Sequence, residues 1–318
     1  MKTLVLYVHC IYYTMVFPKP NYESFGALVA RQPDWSLPPS KWTFKQHPEL
    51  NHTIESVSKE LGGRYVQAIR DRFPQVTFDI IKSFVVKNDQ YGSPQKFIYE
   101  FPCVTSNTTK LLYGSPSSLR YAMQALLVLE HLSTTPCSWV VELGAGYGGM
   151  YVALLTFLPL FTLFTPLTRY VAIELPDVAV MTRTYLQTVV NGQNASGLKI
   201  PNDVVQMNLA GDSAPLPYHI WTWDEMATKM EEERSAWMSD AFFVSHLGFT
   251  ELDGDVQEVV RKRCLRYCSH GMLTWQTCFG DDVQYASEML GNRVSKVDPE
   301  VPDTVPSYLQ MPNYYVYF

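Results

Sequence analysis

The sequence predicts an α/β fold, doubly wound around a mostly parallel sheet, with an irregular α+β cap at its N-terminal end. Three observations carry this expectation. From residue 115 onward, apolar strand-like runs alternate with helix-like segments, the pattern of a parallel sheet covered on both faces. The first of those runs ends in a cluster of glycines, VVELGAGYGGM (140–150), where backbone must bend sharply or approach something closely. Residues 1–114 follow neither pattern and are rich in Pro, Tyr and Trp, as in RQPDWSLPPSKW.

Taken in order, the start MKTLVLYVHCIYYTMVF imitates a signal peptide, with one lysine before an apolar stretch. His9 interrupts that stretch, bulky Tyr12 and Tyr13 follow, and no small-x-small cleavage site appears. A strand or a buried N-terminal segment of a cytoplasmic protein is the expectation, and the run is too short to span a membrane. A helix is expected over 54–73, closed by Pro74, and a short strand over 76–84. Ser115 then offers an N-cap, and Pro116 a first turn, to the helix SPSSLRYAMQALLVLEHL. Residues 139–143 read as a buried strand, 149–161 as a helix, 170–175 as a second strand and 176–190 as its following helix. A weaker third strand is expected over 204–209 and a fourth over 241–246. A helix over 254–269 stopped by Gly271, a fifth strand over 272–279 and a last one over 314–318 complete the order. The chain divides accordingly into a cap and substrate-contact region, 1–114, and a ligand-binding domain, 115–318.

Composition narrows the function. With 25 basic against 31 acidic side chains the formal charge is -6, which argues against a sequence-independent nucleic-acid binder. Six cysteines in 318 residues are too few for a disulfide scaffold, and Cys264, Cys268, His270 and Cys278 lack the paired spacing of a structural zinc site.

In a doubly wound sheet, ligands bind at the carboxyl ends of the strands. Gly144 and Gly146 let the first exit loop pass close beneath a ligand, and the helix starting near Gly148 offers its positive N-terminal end. Dinucleotide enzymes use a similar loop, and a plain tight turn would read the same. Glu142, however, stands just before the first glycine, where a carboxylate repels a pyrophosphate and suits an ammonium or sulfonium group. The second strand ends in Glu174, which can accept both hydroxyls of a ribose or simply cap the helix that begins at Pro176. Thirty residues separate Gly144 from Glu174, against the usual roughly 20, the excess being LPLFTLFTPLTR. Acid-Gly-x-Gly plus a strand-terminal acid points to S-adenosylmethionine rather than NAD.

The trio SPSSLRYA (115–122), VVELGAGYGGM (140–150) and YVAIELPDV (170–178) resembles the sugar O-methyltransferases. These are bacterial and viral S-adenosylmethionine-dependent enzymes of the Rossmann-like methyltransferase class, associated with surface-polysaccharide and glycan genes. The resemblance spans roughly residues 110–280 and continues at VSHLGFTEL (244–252), which is similar to the family's Ser-Asn-x-x-Phe-Ser-Glu-Leu after the fourth strand. His246 departs from it, standing where the family carries Asn.

The resemblance implies methyl transfer to a sugar hydroxyl of a glycan or nucleotide-sugar, by in-line displacement assisted by a general base. His246, at the carboxyl end of the fourth strand, and Glu251, five residues on, are the catalytic candidates; a structural histidine is the alternative for the first. The expected cofactor contacts are Arg120, Glu142, Gly144, Ala145, Gly146, Tyr147, Glu174, Leu175, Asp212 and Ser245. Arg120 could clamp a cofactor carboxylate or a substrate phosphate through its planar fork, or make a helix-surface ion pair. Asp212 is the candidate for the adenine side, and Tyr147 for the pocket wall or for packing alone. Trp35, Trp42, Trp221 and Trp223 are candidates for stacking on a sugar, with core packing as the plainer reading. Asp253, Asp255, Asp281 and Asp282 could hold a divalent cation, but the calcium-loop pattern is absent and no metal is expected.

The expected partner is a sugar or glycan, with no nucleic acid and no membrane span; a homo-oligomer is compatible with the sequence. Two other acceptors stay open, a small phenolic metabolite or a protein side chain, as does a catalytically inactive scaffold subunit that binds S-adenosylmethionine. An aromatic pocket without polar sugar contacts would favour the phenolic acceptor.

Overall fold

The computed structural model describes residues 22–31, 33–103, 108–191, 216–233, 238–276, 283–300 and 313–318. Its N-terminal part is more helical than the sequence suggests. Helix α1 spans Tyr22–Ala30, α2 Pro48–Ile54, α3 Lys59–Arg72 and α4 Phe78–Asn88. A two-stranded antiparallel hairpin follows, β1 (Phe97–Cys103) pairing with β2 (Thr108–Gly114). Two expectations are corrected here. The helix expected over 54–73 is α3 and begins only at Lys59, because Ser58 caps it by accepting from the Leu61 N–H, and Ile54 instead ends α2. The strand expected over 76–84 is α4: Thr77 caps it through the Ile80 N–H, and Ile81, Phe84, Val85 and Asn88 share one buried face at helical spacing.

The described part of the sheet begins after α5 (Pro116–Leu132), whose N-cap Ser115 accepts from the Ser117 and Ser118 N–H groups as its sequence predicts. Then come β3 (Trp139–Leu143), α6 (Gly149–Phe157), β4 (Arg169–Glu174), α7 (Pro176–Asn191), β5 (Tyr218–Thr222) and α8 (Trp223–Glu233). The chain continues through β6 (Ala241–His246), the short α9 (Gly248–Glu251), α10 (Gly254–Val260), β7 (His270–Gln276), α11 (Val283–Leu290), β8 (Lys296–Pro299) and β9 (Asn313–Tyr317). Helix α10 ends earlier than expected, in a π-helical turn over Arg261–Leu265.

The seven-stranded sheet has the order β5-β4-β3-β6-β7-β9-β8. Pairings from β5 through β7 are parallel, while β9 runs antiparallel to both its neighbours. This is a doubly wound, Rossmann-like sheet whose strand order reverses beside β3, between β4 on one side and β6 on the other. The third strand expected over 204–209 lies outside the described residues, as do the N-terminal apolar stretch, Asp212, Cys278, Asp281 and Asp282.

Side chains alternate between the two faces. Val140, Tyr170, Ala172, Phe242, Val244 and Met272 pack with α5, α6, α7 and the N-terminal helices into one hydrophobic cluster. Val141, Val171, Ile173, Phe243, Leu273 and Trp275 pack on the opposite face with residues of α8, α10 and α11. The parity also sets the site: Glu142, Glu174 and His246 fall on the face that carries α5.

Candidate functional site

A cavity of about 720 Å³ opens at the carboxyl ends of β3, β4 and β6, within the range of small-molecule sites. It is lined from below by Glu142, Leu143, Ile173, Glu174 and His246, and from above by Ser117, Arg120, Tyr121 and Gln124 of α5. Those four positions fall at i, i+3, i+4 and i+7, one face of a helix.

The glycine loop forms one wall. Gly144, Gly146 and Gly148 all adopt left-handed backbone, with φ of 79°, 58° and 91°. At Gly144 a side chain would also meet the Cα of Gly248 at 3.2 Å, so the two chain segments approach as backbone on backbone. Gly146 turns its N–H onto Glu174, donating to Oε1 at 2.5 Å, while the Leu175 N–H donates to Oε2 at 3.2 Å. Glu174 therefore braces the loop from the tip of the neighbouring strand.

Two carboxyl groups stand side by side in this wall. Glu142 is 1% exposed and accepts a hydrogen bond from the Tyr170 hydroxyl; burial pushes its pKa up to about 8, and the charge of Glu174 adds to the rise. Burial also pushes Glu174 up to about 8 against the lowering effect of its two backbone donors. Neither carboxyl has a cationic side chain as a hydrogen-bond or ion-pair partner among the described residues.

On the β6 side, His246 hydrogen-bonds through Nδ1 to Thr274 Oγ1 at 2.9 Å, and its Nε2 has no partner among the described residues. Burial drives its pKa down to about 3, with the Arg120 charge acting in the same direction, so the ring is neutral at ordinary pH. Leu247, next in the chain, holds φ 72° and ψ -41°, a strained conformation for a branched side chain that costs about 1–3 kcal/mol. That turn leads into α9, which carries Glu251 to the cavity rim.

Arg120 reaches the cavity with its charge already matched. Its Nε donates to Tyr65 Oη at 2.9 Å and lies 3.2 Å from Glu300 Oε1, while the Tyr65 hydroxyl donates to the same carboxylate at 2.5 Å. It is a buried ion pair within the cavity wall rather than a pair on a helix surface.

Of the residues expected to contact a cofactor, Arg120, Glu142, Gly144, Gly146, Glu174 and Leu175 converge on the cavity, together with both catalytic candidates, His246 and Glu251. Three stand behind the wall instead. Ala145 is 1% exposed and outside the lining, and Ser245 is spent on structure, donating to the Leu143 carbonyl and accepting from the Phe249 N–H. Tyr147 is fully buried: its hydroxyl donates to Glu55 and accepts from Asn88, and Lys45 Nζ sits 4.0 Å from its ring centroid. Its role is to pin the glycine loop to the N-terminal region. Trp223 lines the cavity, whereas Trp35 and Trp42 pack edge-on against each other near Phe44, away from it. No group of three or more His, Cys, Asp or Glu among the described residues could hold a metal ion.

Sequence reasoning missed Gln124 and Ser117, although the helical register from Arg120 would have found both. It also missed Thr53, Ile54, Ser56 and Val57, which the end of α2 and the following turn bring to the cavity.

No protein-family model and no curated protein matches the sequence. Solved structures that resemble the fold include magnesium protoporphyrin IX methyltransferase from Synechocystis PCC 6803 with bound S-adenosylmethionine, at 10% identity over 80% of this chain and 95% of that one, with a TM-score of 0.38. A precorrin-6y C5,15-methyltransferase from Geobacter metallireducens GS-15 matches at 13% identity over 61% of this chain and 86% of that one, TM-score 0.33. A mitomycin 7-O-methyltransferase matches at 15% over 64% and 54%, TM-score 0.34. These neighbours are methyltransferases with unlike acceptors, and likeness at this level identifies neither cofactor nor substrate for the present chain.

Proposed function

We propose that the chain is an S-adenosylmethionine-dependent O-methyltransferase acting on a sugar hydroxyl of a glycan or nucleotide-sugar. One observation carries the reading: two buried carboxyl groups, Glu142 and Glu174, end or nearly end adjacent strands and flank a left-handed glycine loop at the switch point of the sheet. A pyrophosphate at this loop would meet Glu142, whereas a ligand with an ammonium, a sulfonium and a free ribose suits both carboxyl groups. The residues fit that ligand: Glu174 would accept the ribose hydroxyls, Glu142 would face the cationic end, and Gly144 and Gly146 would lie beneath it.

When bound, S-adenosylmethionine supplies a methyl group already activated by its sulfonium charge. The protein's part is to align a hydroxyl with it, exclude water and take one proton. His246 would accept a hydrogen bond from that hydroxyl at Nε2, with Nδ1 held by Thr274. Burial, with the Arg120 charge acting in the same direction, makes an imidazolium unfavourable here, so Glu251 is the better final proton acceptor. Polar Ser117, Arg120, Gln124, His246 and Glu251 in one lining support a hydroxylated acceptor over a phenolic one. The test is incubation with methyl-labelled S-adenosylmethionine and a panel of glycans and nucleotide-sugars. Label in a sugar product is expected; label only in phenols or protein would overturn the sugar assignment.

A further inference from the structure

The cavity contains polar groups that a cofactor held by Glu142 and Glu174 does not use. Gln124 lines it and is fully buried, yet neither its amide nitrogen nor its amide oxygen has a hydrogen-bond partner among the described residues. A buried amide with both ends unmet costs about 1–3 kcal/mol per group, a cost that a hydrogen-bonding ligand in the cavity would offset. His246 Nε2, on β6 in the same lining, is a further buried polar atom without a partner among the described residues. Ser117, two turns before Gln124 on the same face of α5, lines the cavity as well, with its hydroxyl beside Glu55.

Charge says what these groups can meet. Arg120 is the single cationic side chain among the described lining residues, and Glu300 with Tyr65 already engages it. Against it stand Glu251 and Asp253 in the same lining, besides Glu142 and Glu174, which face the cofactor. A phosphate on the bound part of the acceptor would therefore enter an acidic cavity with no free counter-charge among those residues. Gln124 offers a donor and an acceptor together, which a pair of neighbouring hydroxyls matches, since each hydroxyl both gives and takes a hydrogen bond.

We infer that Gln124 on α5 and His246 Nε2 on β6 form an acceptor subsite that reads a neutral sugar ring through adjacent hydroxyls and rejects sugar phosphates at that position. This rests on the proposed function and narrows it, since the ring that receives the methyl group is then an unphosphorylated glycosyl residue. Gln124 is a specificity residue here, not part of the cofactor wall.

The test compares neutral methyl glycosides with the corresponding sugar phosphates, by saturation-transfer NMR, on the full chain saturated with S-adenosylhomocysteine. Neutral glycosides are expected to bind and the phosphates to bind at least tenfold more weakly. Gln124→Leu is expected to lose glycoside binding at least tenfold, to keep S-adenosylhomocysteine affinity, and to melt at or above the wild-type temperature, because it removes two unmet polar groups. A merely structural glutamine would instead lower the melting temperature. Equal binding of phosphates, or unchanged glycoside binding by Gln124→Leu, overturns the subsite and leaves the cofactor site standing. Failure of the wild type to bind S-adenosylhomocysteine overturns both.

Discussion

Replacing Glu174 by glutamine keeps the side chain's volume and removes its charge, which isolates what the carboxylate does. In the wild type, burial holds this group near a pKa of about 8. Accepting two ribose hydroxyls while still receiving the Gly146 and Leu175 N–H groups calls for the ionised form. At pH 7, about one unit below its pKa, ionising the group costs about 1.4 kcal/mol, and each further unit of acidity costs the same again. Affinity for S-adenosylhomocysteine should thus tighten about tenfold per pH unit for each carboxyl that must ionise, and level off above about pH 8. Glu142 titrates in the same range and is coupled to Glu174, so the pair supplies up to two protons of slope. Glu174→Gln should reduce that slope by one proton. In alkaline buffer, where the wild type is ionised, it should still bind at least about tenfold more weakly, about 1.4 kcal/mol, from the lost acceptor. Isothermal calorimetry across this pH range, in buffers of different ionisation enthalpy, reads both affinity and protons released. A variant with wild-type affinity and wild-type slope would remove Glu174 from the ribose site.

The other predictions concern the parts that support this wall. His246→Ala should lower turnover by about ten- to a thousandfold with S-adenosylhomocysteine affinity nearly intact, as expected for loss of a group positioned on the acceptor; wild-type turnover would take it out of the reaction. Gly144→Ala should lose about 1–3 kcal/mol of stability, because φ is 79° and the added carbon meets Gly248 at 3.2 Å. Urea denaturation reads the loss, and an unperturbed midpoint would contradict the close approach. Lys45 is wholly buried, and desolvation lowers its pKa to about 8 against the raising effect of Glu55 and Asp89. Since the unfolded chain binds this proton more tightly, Lys45 should add stability as pH rises from about 8 towards the ordinary lysine value. Lys45→Met should lack that rise relative to the wild type in thermal melts, and parallel curves would refute it.

Much of the fold was legible because its strands are buried on both faces and so read as plain apolar runs: WVVEL, YVAIE and AFFVSH lie where their residues predict. The α4 segment was misread because VTFDIIKSF is dense in β-branched and aromatic residues, while what governs it is the Thr77 cap and a buried stripe of period 3.6. In the site, Glu142, Glu174 and the glycines were readable since local chain geometry alone brings them to the strand ends. Tyr147 was not, because its place depends on Lys45, Glu55 and Asn88, distant in sequence and joined to it only by tertiary packing. Gln124 was obscured for a related reason: a glutamine in a helix looks like surface until the fold buries it.

The central claim is that the acidic cavity above the glycine loop is built for a cationic S-adenosyl ligand. Calorimetric titration of the full chain with S-adenosylmethionine, S-adenosylhomocysteine and NAD tests it most directly. Saturable one-to-one binding of both S-adenosyl ligands, tightening with pH and absent for NAD, is the predicted result. Binding of NAD in preference to either, or no S-adenosyl binding at any pH where the chain is folded, would contradict it.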